Sequence, residues 1–391
     1  MPRTTLALTS FVSGEFSPKM DGRTDFEKYS SGAKTLENFL VHPQGAATRR
    51  VGTQFIAEVK SSAAKTRLIP FEFSTTQTYI LEFGNTYIRF FKDKGQIVSG
   101  GSAYEISSPY LTAELFDIKF AQSADVMYIT HPNHEVMKLS RTGHTSWTLA
   151  EVDFTDGPYL ATNSTTTTLT PASASVATGV NITASAVTGI NGGTGFQTTD
   201  VGRIISFNSG KAKITARTST TVVVCTITTA FTNTNATAAF SLGAFSDTTG
   251  HPSCISFYEQ RLVFAGTISE PQTVFFSKAG DYENMTTGTN ADDAMVYTIA
   301  SNQVNKIRYL KAVRTLLIGT TGGEFSVSAD GTDAAVTPTN IQIRKQSSFG
   351  AANVDAQPAG NAILFLQRAK RKIRELAYNY DTDGYIAPDL C

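Results

Sequence analysis

The sequence predicts an all-β protein: a propeller-like β-domain, introduced by one short N-terminal helix and split by a small inserted β-barrel or sandwich domain. Three observations carry this prediction. Short runs such as RLIPFEF, TYILEF and YIRFFK alternate apolar with polar residues and are rich in aromatic and β-branched types, which suits a half-buried pleated surface. Turn-forming Gly, Asn and Asp separate these runs at intervals of roughly 8–12 residues, the rhythm of sandwiches, barrels and propellers. The composition also breaks abruptly at Tyr159-Leu160, and the first style returns only after residue 248.

Residues 21–40 carry the predicted helix. Phe26, Tyr29, Ala33, Leu36 and Leu40 recur at spacings of three and four and so share one face. Thr24 or Asp25 can cap its start, and Pro43 lies just past its end. A loop with adjacent Arg49 and Arg50 follows. Strands then succeed one another to residue 160. Gly84-Asn85 supplies one two-residue hairpin turn and Asp93-Lys94-Gly95 the next. Residues 1–160 thus form the first part of the propeller-like domain.

Residues 161–248 are dominated by Thr, Ser, Ala, Gly and Asn, a composition shared by flexible low-complexity linkers. Alternation persists, however, in DVGRIISFNSGKAKITARTSTTVVVCTITTAF, which ends in a long β-branched run. Threonine forms strands as well as valine on a half-buried face, so the expectation is a small inserted β-domain. Residues 249–391 supply the second part of the propeller-like domain. RLVFAGT, RTLLIGTT and NAILFLQR each place four apolar positions before a small or polar break, a blade-like repeat.

A chain of 391 residues, 41% of them hydrophobic, needs more than one core. Its 33 basic and 33 acidic residues balance to a net charge of +0. That argues against gripping DNA by its phosphates and suits a surface past which nucleic acid slides. Cys225, Cys254 and Cys391 have no CxxC spacing, so neither a disulfide framework nor a zinc site is expected. The start, MPRTTLALTSF, lacks the apolar core of a secretory signal, and no apolar run approaches the roughly 20 residues of a membrane span. The expectation is a soluble product made in a cytoplasm.

Few residue clusters suggest chemistry. His131 and His134, with His144 nearby, flank Pro132-Asn133. That dipeptide favours a turn, so exposed histidines in a hairpin loop are expected rather than a metal site. Asp381-Thr382-Asp383-Gly384 lacks the distal Glu of a calcium loop and reads as an Asx-type turn. Gly192-Gly193-Thr194-Gly195 is not followed by the Lys of a phosphate loop, and no GxSxG elbow occurs. Asp292-Asp293 lies in a turn-like stretch. No cofactor, no metal and no enzymatic activity are expected. Two basic features remain. Arg368, Lys370, Arg371, Lys372 and Arg374 form either a solvated face or a contact with nucleic acid or an acidic partner. Arg49-Arg50 is expected at a subunit junction or in a structural salt bridge.

The N-terminal motifs, in order, are SFVSGEFSP, GRTDFEKY, ENF, HPQGAATRRVGTQF, RLIPFEFS, YILEFGNTYIRFF and DFTDGPYL. This series resembles the tail nozzle, or tail tubular protein B, of short-tailed bacteriophages. The stretch around DVGRIISFNSGKAKITARTSTT is similar to the small β-domain called FCCH-like, a name that implies no ubiquitin chemistry here. The resemblance covers most of the chain. It implies a non-enzymatic virion tail protein, assembled in the bacterial host cytoplasm, whose propeller-like protomers close into a ring, six-fold in relatives. The ring would continue the channel below the adaptor protein, pass double-stranded DNA without sequence specificity, and carry fibres or spikes. Tyr29, Phe39, Arg49 and Arg50 are the candidate subunit-interface residues. The basic run from Arg368 to Arg374 is the candidate channel or partner contact. Relatives continue beyond LAYNYDTDGYIAPDL, which makes this a shortened version or one completed by a second chain. The alternatives are a surface adhesin that binds glycan through the Thr/Ser-rich domain, and a tail polysaccharide depolymerase.

Overall fold

The computed structural model describes residues 8–300, 304–331 and 334–390. The chain divides into two compact units, Met1–Ala57 and Glu58–Cys391. Nearly every described element of the larger unit is a strand, so the all-β expectation holds.

In the larger unit, the described residues contain five antiparallel meanders, each running in sequence order. Blade 1 comprises Arg67–Glu72, Thr78–Gly84, Tyr87–Lys92 and Gly95–Gln96, with Glu105–Ser107 also paired to its third strand. Blade 2 comprises Lys119–Ser123, Val126–His131, His134–Gly143 and Ser146–Glu151. Blade 3 comprises Cys254–Tyr258, Arg261–Ala265, Thr273–Phe276 and Met295–Thr298. Blade 4 comprises Ile307–Ala312, Leu316–Thr320, Gly323–Ser328 and Gln342–Ser347. Blade 5 comprises Gln357–Ala359, Ala362–Leu366, Ile373–Asn379 and Gly384–Ile386. This is a propeller-like architecture, interrupted between blades 2 and 3.

Alternation places each blade's apolar residues. In Arg67–Glu72, Ile69 and Phe71 are buried while Leu68, Pro70 and Glu72 are exposed. The first hairpin turn falls on Asn85-Thr86, one residue later than the sequence suggests, because Gly84 still pairs with Tyr87 as a strand residue. Glycine is needed there for space: a Cβ on Gly84 would lie 2.1 Å from the Tyr87 ring. Asp93 and Lys94 take φ of 50° and 60°, the left-handed pair that matches strand twist in a two-residue hairpin.

Consecutive blades share apolar cores. Ile69 and Phe71 of blade 1 pack with Met127, Ile129 and Trp147 of blade 2. Tyr128 and Val136 of blade 2 pack with Leu262 and Phe264 of blade 3. Val263 and Phe276 join Leu316 and Phe325 across blades 3 and 4, and Tyr309 and Leu317 join Ile363 and Phe365 across blades 4 and 5. Where the blades' first strands meet, Lys119 is buried. Its Nζ donates to the Arg308 carbonyl, lies 3.6 Å from Cys254 Sγ and pairs with Asp355 at 3.4 Å. One lysine from blade 2 therefore ties the starts of blades 3, 4 and 5 together.

Residues 161–248 form a compact barrel rather than a linker. Six strands lie in the order Leu169–Pro171, Val180–Ala184, Val222–Thr229, Gly210–Arg217, Ile204–Phe207 and Phe240–Leu242. The first strand is joined back to the chain just before the last: Leu169 and Thr237 exchange backbone hydrogen bonds of 2.9 and 3.1 Å. The inward positions Ile182, Ile205, Phe207, Ile214, Val223, Cys225 and Phe240 fill the interior. Arg203 is also fully buried. It pairs with Asp200 at 2.9 Å and donates to Asn191 Oδ1 and the Gly243 carbonyl, both at 2.7 Å.

The N-terminal unit departs from expectation. No α-helix spans residues 21–40. The segment holds a five-residue 3-10 helix, Glu27–Ser31, preceded by a shorter one at Pro18–Met20. Phe39–Val41 and Ala47–Arg49 form a two-stranded ribbon. The spacing of Phe26, Tyr29, Ala33, Leu36 and Leu40 was helical, but a short helix depends on burial of its apolar face. Among the described residues of the unit that face has no apolar surface to bury against: Phe26 and Leu40 stay exposed.

Candidate functional site

Three features can carry function: the surface of the N-terminal unit, the charged ends of the blades, and the histidine cluster at the edge of blade 2.

Among the described residues 8–57, only Gly32 and Gly45 are buried. Phe39 is 48% exposed, and Val51 and Phe55 are each 80% exposed. The described residues of the unit therefore form no apolar core. Residues 51–57 form no helix or strand, and none of their backbone groups has a hydrogen-bond partner among the described residues. Arg49 and Arg50 are both exposed and form no ion pair with the described residues of their own unit; Arg50 Nε donates to Asn38 Oδ1 at 3.3 Å. Tyr29 is half-buried, stacked on Phe16 at 5.7 Å, and its hydroxyl accepts the Gly22 N–H. The structure thus brings Phe39, Arg49 and Arg50 onto one ribbon, where Phe39 pairs with Arg49. Tyr29 instead serves the unit's own packing.

The basic run lies on the hairpin between the second and third strands of blade 5. Lys370 and Arg371 are exposed at its tip. Lys372 pairs with Asp389, and Arg368 Nη1 donates to the Thr321 carbonyl at 3.2 Å. Arg374 is different. It is buried, lies 3.5 Å over the Phe349 ring and donates to the Ala387 carbonyl, so it builds the blade rather than a contact surface.

In a meander, the first–second and third–fourth turns share one end and the second–third turn lies at the other. The former end of blades 3–5 carries exposed Glu259, Asp281, Asp292, Asp330, Asp381 and Asp383, against exposed Arg314 and half-buried Lys278, which pairs with Asp292 at 3.5 Å. These turns adjoin one another across blades: Val336 N–H donates to Glu259, and the hydroxyls of Thr315 and Tyr385 bond at 2.9 Å. Zero net charge thus conceals an acidic end, which composition alone does not reveal.

His131 is not an exposed loop histidine. It is 1% exposed, closed over by the turn that Pro132-Asn133 makes. Its pKa falls to about 4, chiefly through burial and then through repulsion from His134. His134 Nε2 bonds Glu114 Oε2 at 2.8 Å, and Tyr110 packs edge-on against the His134 ring. Ligating atoms of Glu114, His131 and His134 lie within 4.8 Å of one another. The Asn133 N–H, however, donates to His131 Nδ1 at 3.2 Å. In a neutral ring this leaves the proton on Nε2, so ligation there would set two N–H groups against each other. As arranged, His134 and Glu114 form a hydrogen-bonded pair, while the buried His131 Nε2 has no hydrogen-bond partner among the described residues. Glu114 belongs to the loop between blades 1 and 2, and no sequence spacing links it to the histidines.

A smaller acidic pair sits beside the barrel. Partial desolvation first, and the neighbouring Glu151 carboxylate second, push Glu135 up to about 7, although the residue as a whole stays exposed. The two line a cavity of about 70 Å³ with Lys213 and His251. A larger cavity of about 740 Å³ between blades 3 and 4 has Lys345 and Arg368 as its charged lining. The remaining sequence candidates are structural. Asp293 binds Lys278 at 3.0 Å, Asp383 accepts the Tyr378 hydroxyl at 2.7 Å, and a Cβ on Gly195 would meet the Thr220 carbonyl at 2.5 Å.

No protein-family model matches the chain, and no curated protein matches it. Among solved structures it is similar to the β-propeller domain of Cps50 (Swd1) from Myceliophteria thermophila, at 8% identity and TM-score 0.33, over 82% of this chain and 88% of that one. It is also similar to the phage phi92 endosialidase, at 10% identity and TM-score 0.22, over 80% and 64%. YCF48 bound to D1 peptide gives 9% identity and TM-score 0.21, over 80% and 95%. Likenesses this weak carry no functional argument. No helix among the described residues is long and apolar enough to cross a membrane.

Proposed function

We propose that the chain is a non-enzymatic structural component of a phage tail, a nozzle protomer that assembles into a ring. The observation that carries this reading is the N-terminal unit, which holds the opening motifs of the resemblance yet buries only two glycines among its described residues. Apolar side chains left 80% exposed at Val51 and Phe55 mark a surface that another molecule covers. A ring supplies such a cover on every copy, through a heterologous contact that closes by rotation.

In this reading Phe39, Arg49 and Arg50 lie at the subunit junction, and the exposed tip Lys370-Arg371 meets an acidic partner or DNA in transit. The ring lies below the adaptor in the virion tail and carries fibres or spikes. The neutral balance of charge keeps DNA from sticking as it passes.

Light scattering of the purified protein, alone and mixed with its adaptor, tests the proposal. A particle of about six copies supports it. A single copy that ignores the adaptor at every concentration sinks it.

A further inference from the structure

Among its described residues, the N-terminal unit presents three things that its own fold leaves without a match on one short stretch of chain: cations at Arg49 and Arg50 with no carboxylate, apolar side chains at Val51 and Phe55, and unpaired backbone over residues 51–57. The propeller presents the complement. Its acidic end carries exposed carboxylates on three successive blades. Beside those turns run the outermost strands Met295–Thr298 and Gln342–Ser347, each paired with a neighbour on one side only, whereas in Gly384–Ile386 the Tyr385 N–H already donates to Gln346 Oε1 at 2.9 Å. A partner with matching carboxylates and open strand edges is therefore already present in every copy of this chain.

We infer that the N-terminal unit of one copy docks on the acidic blade end of a second copy, Arg49 and Arg50 meeting the carboxylates while residues 51–57 lie along an outer blade strand. This inference rests on the ring reading and specifies its contact. Each part of the contact has a physical role. Opposite charge steers encounter and sets orientation. An extended, unpaired segment adds to a sheet edge through main-chain hydrogen bonds, and alternate side chains supply apolar anchors. The contact is heterologous, because the two surfaces differ, so it propagates around a ring rather than ending at a dimer. It also supplies the carboxylates that Arg49 and Arg50 lack among the described residues of their own unit.

The test uses the full chain, with assembly followed by mass photometry across a concentration series. The first variant is Arg49→Glu with Arg50→Glu. The second is Asp281→Lys with Asp330→Lys and Asp381→Lys. All five positions are exposed, and circular dichroism confirms that each variant folds. Each alone is expected to raise the concentration needed for half-assembly by at least about tenfold. Carrying both sets of reversals restores opposite charge and returns it to within about threefold of wild type. Val51→Ser with Phe55→Ser weakens assembly equally at low and high salt, whereas the charge effects shrink as salt rises. An arginine variant that assembles like wild type overturns the inference and leaves the ring standing, as does a combined variant that stays weak. Loss of adaptor binding with an intact ring also overturns it, because the unit then serves the adaptor. Wild type that stays a single copy, alone and with adaptor, sinks the ring reading itself.

Discussion

The inserted barrel and the N-terminal unit look, by composition, the wrong way round. The barrel is built from Thr, Ser, Ala, Gly and Asn, yet it encloses a continuous core from Leu169 to Leu242. The N-terminal unit is studded with Phe, Tyr and Leu, yet buries only Gly32 and Gly45 among its described residues. What separates them is period. In Val180–Ala184 the polar Asn181 and Thr183 face outward, and there as in Ile204–Phe207 every second side chain enters the core. In residues 21–40 the apolar spacing is helical, but the described residues of the unit offer no second apolar surface to receive that face. Burial follows pairing of surfaces, and hydrophobic content alone does not produce it.

The largest effect expected from this comparison is at the barrel core. Phe240→Ala or Phe196→Ala should cost about 3–5 kcal/mol in urea unfolding, by loss of buried area and creation of a cavity. Phe55→Ser, measured on single copies, should stay within about 0.5 kcal/mol. Similar losses at both places would break the contrast.

Next is the buried ion pair of the barrel, where the side chains of Arg203 and Asp200 are both 0% exposed. Asp200→Asn leaves the guanidinium buried without its counter-charge and should cost about 3 kcal/mol by the same assay. An effect under about 0.5 kcal/mol would show that the neighbouring carbonyl and amide acceptors suffice.

The edge of blade 2 gives a pH test with two opposite signs. Burial holds His131 near 4, below its usual 6.5. The unfolded chain therefore takes up the proton first, and stability falls as pH drops from about 6.5 toward 4, by about 3 kcal/mol in total. His131→Asn should flatten that limb of the profile. Glu135 is raised to about 7, so its contribution is present below about 4.5 and is lost as pH rises through 7. The Glu135 side chain is exposed and screened by solvent, so this is the smallest effect. Glu135→Gln should remove it, and an unchanged slope between pH 5 and 8 would contradict the assignment.

Much of the fold was legible in the sequence because strands announce themselves locally. RLIPFEF and YIRFFK carry their own alternation, and the Asp93-Lys94 turn carries its own backbone requirement. The barrel was legible for the same reason, through DVGRIISFNSG. The first hairpin turn was misplaced by one residue because Gly84 reads as a turn former, while the Tyr87 ring resting on it cannot be seen in the sequence. The absence of the N-terminal helix was invisible because helices depend on partners elsewhere. The site was less legible still. Glu114 joins His131 and His134 only through folding, Arg374 is withdrawn beneath Phe349, and Lys119 gains its role by meeting three other blades. Arg49 and Arg50 were visible as a pair, but their lack of a carboxylate among the described residues of their own unit was not.

Electron microscopy of intact virions, with the protein labelled at the inserted barrel, tests the central claim most directly. The account predicts label on the tail, below the adaptor, repeated around the tail axis. Virions whose tails carry no label would contradict it.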